Sequence, residues 1–200
     1  MKVLDICAAP GGKTINVAAK LENNGLLVTN DINHQRTKAI LKNIELYGIQ
    51  NALITNENHQ NLEKMFPEFF DRIILDAPCS GEGMFRKDND LIKSWQRSKK
   101  ETIPIQKELL EACANMLKPN GLMIYSTCTF NEEENENQIL DFLTRNPVFV
   151  CIDIPKENGF VSRAKLPKSA RLLPHNLKGE GHFLCLMKKK SNTDVEHKYP

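Results

Sequence analysis

A doubly wound α/β sheet, mostly parallel, with seven strands and the last one antiparallel, is the fold this sequence predicts. Three observations carry it. Short aliphatic runs alternate with stretches of helical apolar spacing. A loop of small residues, Ala8 to Gly12, follows the first run. Residues that carry chemistry (Asp31, Asn58, Asp76, Cys79 and Cys128) recur just after later runs, the edge where such sheets gather ligands.

The elements follow in order. Val3 to Cys7 is the first strand, and Thr14 to Leu21 is a helix with Ile15, Val17, Ala18 and Leu21 at helical spacing. Asn23-Asn24-Gly25 turns the chain into a second strand, Leu26 to Thr29, ending at Asp31. Ile32 to Tyr47 places Ala39, Ile40, Ile44 and Tyr47 on one helix face, and Gly48 terminates it. Ala52 to Thr55 is a short third strand, with Asn58 past its end. Leu62 to Phe66 is a helical turn closed by Pro67.

Ile73-Ile74-Leu75 reads as a buried fourth strand with Asp76 at its end, and Pro78 stops the ladder. Leu91 to Lys100 carries Trp95, and Ile105 to Leu117 is an amphipathic helix before the Pro119-Asn120-Gly121 turn. Leu122 to Ser126 is strand five, leading into Thr127-Cys128-Thr129. Asn131 and Glu134 have capping-box spacing for a helix to Leu143. Val148 to Ile154 and His182 to Met187 are the last strands. No helix fits between them, so they are expected to pair antiparallel. One domain over 1–188 and an unstructured polar tail over 189–200 are expected.

Composition excludes more than it assigns. A net charge of +2 is weak evidence for a polyanionic partner. Six cysteines without a C-x-x-C pair predict free thiols, no metal site and a reducing cytoplasm. No apolar run reaches membrane length, and the chain opens on a strand rather than a signal peptide.

The loop narrows the ligand. Gly12-Lys13-Thr14 ends like a phosphate-binding loop, but Cys7 stands where that motif needs glycine. G-x-G-x-x-G is also absent. A glycine loop followed by an acid, Asp31, fits a nucleoside without a pyrophosphate, such as S-adenosylmethionine. Asp31 serves equally as the N-cap of the next helix, and both readings stay open.

Three stretches then become specific: Asp5 to Thr14 (DICAAPGGKT), Asp76 to Gly83 (DAPCSGEG) and Tyr125 to Glu136 (YSTCTFNEEENE). They resemble the signatures of the Nop2/Sun/RsmB/RsmF family of RNA cytosine-5 methyltransferases. Arg171 to His175 (RLLPH) resembles a later block, and Met84 to Asp88 (MFRKD) leans toward the RsmF type, which modifies small-subunit ribosomal RNA. The resemblance implies a methyltransferase catalytic core with a Rossmann-like fold, S-adenosylmethionine as cofactor and RNA as partner. It further implies that Cys7, Ala8, Ala9, Pro10, Gly11, Gly12 and Lys13 wrap the methionine end. Asp31 would hold the ribose, Asn58 would lie next to the adenine, and Asp76 would border the cofactor.

By the same resemblance Cys128 attacks cytosine C6 and Cys79 assists release, while Asp76 and Lys13 stabilise the adduct. DNA cytosine-5 methyltransferases attack from a Pro-Cys cysteine, so the opposite assignment is a real choice. Glu132, Glu133 and Glu134 either raise the Cys128 thiol or face solvent. Cys113, Cys151 and Cys185 read as core. Phe85 and Trp95 read as base-stacking or packing residues, and Arg86 and Lys87 as phosphate contacts or a solvated pair. A monomer is favoured. The rival readings are a methyltransferase of DNA or a small molecule, and a non-catalytic binding module. A second strand-end thiol speaks against the module.

Overall fold

The computed structural model describes residues 1–86 and 90–191. Its elements are β1 (Lys2–Asp5), α1 (Gly12–Leu21), β2 (Leu26–Asn30), α2 (His34–Leu46), β3 (Ala52–Thr55), α3 (His59–Met65) and β4 (Phe70–Asp76). After a 3-10 turn at Glu82–Met84 come α4 (Asp90–Met116), β5 (Leu117–Thr127), α5 (Glu136–Arg145), β6 (Phe149–Ile152), β7 (Ala170–Leu172) and β8 (His182–Lys189).

The strands form one sheet in the order β3-β2-β1-β4-β5-β8-β6, with β7 also on β8. From β3 to β5 all pairings are parallel, and β8 is antiparallel to β5, β6 and β7. Period-two alternation sorts the core onto the two faces. Val3 and Leu27 pack with Ala18 and Leu21 of α1. Leu4 and Val28 face the opposite cluster, with Leu62 of α3, Leu110 and Cys113 of α4, and Phe142 of α5. Strand order reverses beside β1, because β2 and β4 flank it. A crevice therefore opens beyond the carboxyl ends of β1 and β4.

Several expectations are corrected. Among the described residues the sheet has eight strands, not seven: the extra one, β7, is only three residues long and carries no alternation of its own. Arg171, at its centre, is held by Glu136 of α5 and by the Phe130 carbonyl. The segments expected at Leu91 to Lys100 and Ile105 to Leu117 are one helix, since α4 runs through Pro104. One lost backbone donor is offset by the buried face of Leu109, Leu110, Ala112, Cys113 and Met116. The Pro119-Asn120-Gly121 turn survives as an irregularity inside β5, where the register jumps from Leu117 opposite Phe70 to Leu122 opposite Arg72.

The capping box does not form. Helix α5 starts at Glu136, and the Glu134 side chain crosses to other elements. The expected start of the tail at Lys189 is not met. Lys189 belongs to β8, and its ammonium donates to the carbonyls of Ala114 and Leu117 at the end of α4.

Candidate active site

The loop after β1 is pinned by its own backbone. Ala8 N–H donates to the Asn30 carbonyl and Gly11 N–H to the Ala8 carbonyl. Gly11, at φ +108°, turns the chain into α1. A Cβ on Gly12 would meet nothing within 4 Å, so protein packing does not require glycine there. Gly12 instead lines a hollow of about 300 Å³ with Asp5, Cys7, Pro10, Lys13 and Asp76. An adjoining cleft of about 270 Å³ runs along Ala9, Asp31, Ile32, Glu57, Cys79 and Cys128.

Asp31 does not cap α2, because Asn33 does, accepting from the Gln35 and Arg36 amides. The Asp31 carboxylate, 3% exposed, instead accepts from the Asn33 and Ala9 amides, and Arg36 lies 3.5 Å away. That leaves a fixed acid on the cleft wall. Asn58 is exposed and caps α3 by accepting from the Asn61 amide. The cleft wall at this end is formed by its neighbours Glu57 and His59. Asn30, which the sequence reading passed over, ties three strand ends together. It donates to the Ile6 and Glu57 carbonyls and accepts from Thr55 Oγ1 and the Glu57 amide. Its only advance signal was an amide residue immediately before Asp31.

Asp5 is fully buried at the end of β1. One oxygen accepts from Thr14 Oγ1 at 2.7 Å, and the other has no partner. Burial pushes its carboxyl up from 3.8 to about 6, against the pull of the Thr14 hydrogen bond. The folded state thus holds this proton more tightly than the unfolded one. Its contribution to stability is full below pH 3.8 and is lost as pH rises through 6. The rise corresponds to about 3 kcal/mol. Asp5→Asn is expected to stabilise the ligand-free chain above pH 7 by up to about that amount. The gain should fade as pH drops toward 4, and urea denaturation across this range checks it.

Two loops meet at the other end of the cleft. Cys79 and Cys128 lie with their sulfurs 3.3 Å apart, both half-buried. The Cys79 thiol hydrogen bond first, and Lys13 to a lesser degree, pull the Cys128 thiol below its ordinary range against desolvation and the Asp76 charge. Cys79 is pushed far up, first by its hydrogen bond with Cys128 and then by burial. The contact therefore favours Cys128 over Cys79 as the thiol that ionises first. Asp76 accepts from Lys13 Nζ and Ser126 Oγ, both at 2.6 Å, so both of its oxygens are bonded. Cys7, despite its place in the loop, is pushed well up, mainly by burial.

The three glutamates do not act together. Glu132 pairs with Arg163, whereas Glu134 is fully buried rather than facing solvent. Phe85 and Trp95 pack edge to face at 6.5 Å. Arg86 is exposed and donates to the Gly179 carbonyl. Lys87 lies outside the described residues. Cys113 and Cys185 are buried as expected, while Cys151 is half-buried with its sulfur 3.5 Å from that of Cys185. Among the described residues no group of side chains is arranged to hold a metal, and no helix is long and apolar enough to cross a membrane.

A family described as 16S rRNA methyltransferase RsmB/F matches residues 1–188. The chain belongs to that family. The family is S-adenosylmethionine-dependent. Ribosomal RNA small subunit methyltransferase F of Vibrio vulnificus (strain YJ016) is 48% identical over 135 residues, 67% of this chain and 29% of its own length. The enzyme of the same name from Enterobacter sp. (strain 638) is 38% identical over 192 residues, 94% of this chain and 40% of its own. The chain thus spans about two fifths or less of the curated relatives it matches.

Among solved structures, NSun6 from Pyrococcus horikoshii, determined with the S-adenosylmethionine analogue SFG, superposes with a TM-score of 0.81. It is 26% identical, with 96% of this chain and 50% of that one covered. A methyltransferase homologue from Pyrococcus horikoshii gives 0.76 at 29% identity, covering 94% of this chain and 61% of that one.

Proposed function

We propose that this chain is the catalytic core of an enzyme that methylates C5 of cytosine in small-subunit ribosomal RNA through a covalent Cys128–C6 adduct. The observation that carries the proposal is the thiol pair: two sulfurs 3.3 Å apart at the sheet edge. A binding module has no use for such a pair.

The cleft fits S-adenosylmethionine on its own chemistry. The open space at Gly12 leaves room for the methionine end, and Asp31 offers a buried acceptor for ribose hydroxyls. Ile32, 72% exposed on the cleft wall, and Glu57 with His59 bound the adenine end in place of Asn58. When bound, the cofactor supplies an electrophilic methyl group.

The remaining steps belong to the side chains. The Cys128 thiolate adds to cytosine C6, and the electron pair of the C5–C6 double bond moves to make C5 nucleophilic. Lys13, held by Asp76, offers a donor to the base at N3, and the Asp76 carboxylate accepts from the exocyclic amino group. After methylation the C5 proton passes to solvent water entering the open cleft, the C5–H electron pair re-forms the double bond, and the C6–S bond breaks with its electrons returning to Cys128. Cys79 stabilises that leaving thiolate with its own hydrogen.

The cofactor part of the proposal is tested at Asp31. Asp31→Ala is expected to weaken S-adenosylmethionine binding by about 1.5–3 kcal/mol, the range for a hydrogen bond to a charged group. Titration calorimetry showing unchanged affinity would remove Asp31 from the site.

A further inference from the structure

We propose that Glu134 is a positioning residue that sets the contact between the two thiols. This rests on the covalent reading above. Its carboxylate is fully buried and takes five donors, all neutral. One oxygen accepts from the Ser80 amide at 2.9 Å, Thr102 Oγ1 at 2.7 Å and Gln106 Nε2 at 3.0 Å. The other accepts from Ser80 Oγ and from Asn131 Nδ2.

Those donors surround both cysteines. Ser80 follows Cys79, and Gln106 also donates to the carbonyl of Pro78, which precedes it. Ser80 Oγ contacts Thr129 Oγ1 at 2.9 Å, and Thr129 follows Cys128. The Tyr125 hydroxyl donates to the Glu134 carbonyl, fixing this residue to β5. One carboxylate therefore joins the loop after β4, the loop after β5 and helix α4. A buried charge without a cation is expensive to keep. Here it is held by hydrogen bonds whose geometric effect is to bring Cys79 and Cys128 to 3.3 Å.

The groups that act on the Cys128 sulfur are Cys79 from the loop after β4, Asp76 from β4 and Lys13 from α1. Glu134 thus acts through Cys79. Two effects of Glu134→Gln then differ in sign. Losing a nearby negative charge lowers a thiol pKa, whereas loosening the Cys79 hydrogen bond raises it.

The test is the pH profile of iodoacetamide alkylation at Cys128, read peptide by peptide by mass spectrometry on the full chain. Glu134→Gln should move the profile up by about one pH unit, so that alkylation at neutral pH slows about tenfold. Cys151 serves as an internal control and should be unmoved. In a Cys79→Ala background the same substitution should no longer shift Cys128, because the thiol through which it acts is gone. Should Glu134→Gln fail to fold, Ser80→Ala, which keeps the backbone amide, should give a smaller shift in the same direction. An unchanged or lowered profile in the folded variant overturns the proposal. Alkylation needs no RNA and no methyl transfer, so methylation persisting in Cys128→Ala would reject the covalent reading separately.

Discussion

Cys128→Ala is expected to reduce methyl transfer by roughly 10⁴-fold or more, the scale of losing a covalent nucleophile. Without attack at C6, C5 of cytosine stays a poor nucleophile whatever the cofactor affinity. The chain should still fold and bind S-adenosylmethionine, because Cys128 lies at the end of β5 and is half-buried rather than core. Cys79→Ala should behave differently. Its first turnover should survive at a reduced rate, since Cys128 remains to attack but loses the Cys79 hydrogen bond that lowers its thiol, while steady-state turnover falls further because release also loses its donor. Single-turnover and multiple-turnover methyl incorporation, measured side by side on an active form with its RNA, separate the two.

The second large effect is on stability. Arg171→Met is expected to cost about 3–5 kcal/mol, because it strands a buried carboxylate. Arg171 and Glu136 are 3% and 0% exposed and meet as a two-pronged pair, Nε to one oxygen at 2.7 Å and a terminal nitrogen to the other at 2.5 Å. A third guanidinium nitrogen donates to the Phe130 carbonyl, two residues past Cys128. Replacing Glu136 by Leu in the same chain should recover most of the loss, because the stranded charge goes with it. Urea unfolding of the two single variants and the double variant gives the coupling directly. The RLLPH block thus opens on a residue tied to Glu136 of α5 and to the Phe130 carbonyl.

What the sequence showed was local, and what it hid was long-range. Strand ends were legible because Pro78 and the glycines interrupt aliphatic runs, so Asp76, Cys79 and Cys128 fell at one edge from periodicity alone. That β1 to β5 run parallel followed from the helices between them. Glu134 was misread because N-E-E-E looks like a solvated helix start. Its burial depends on Ser80, Thr102 and Gln106, which lie 54, 32 and 28 residues away. Asn58 shows the converse: besides its strand-end position it has a local capping role at the start of α3. The eighth strand was hidden for a third reason. Three residues cannot show a period, and β7 is held by the ion pair at its centre.

The central claim is that Cys128 attacks and Cys79 releases. Denaturing gel electrophoresis of an active form of the enzyme with its RNA and S-adenosylmethionine tests it most directly. Cys79→Ala should accumulate a covalent protein–RNA band on unmodified cytosine. Cys128→Ala and the double variant should show none, because release matters only after attack. Trapping in Cys128→Ala and none in Cys79→Ala would contradict the account and place the nucleophile on Cys79.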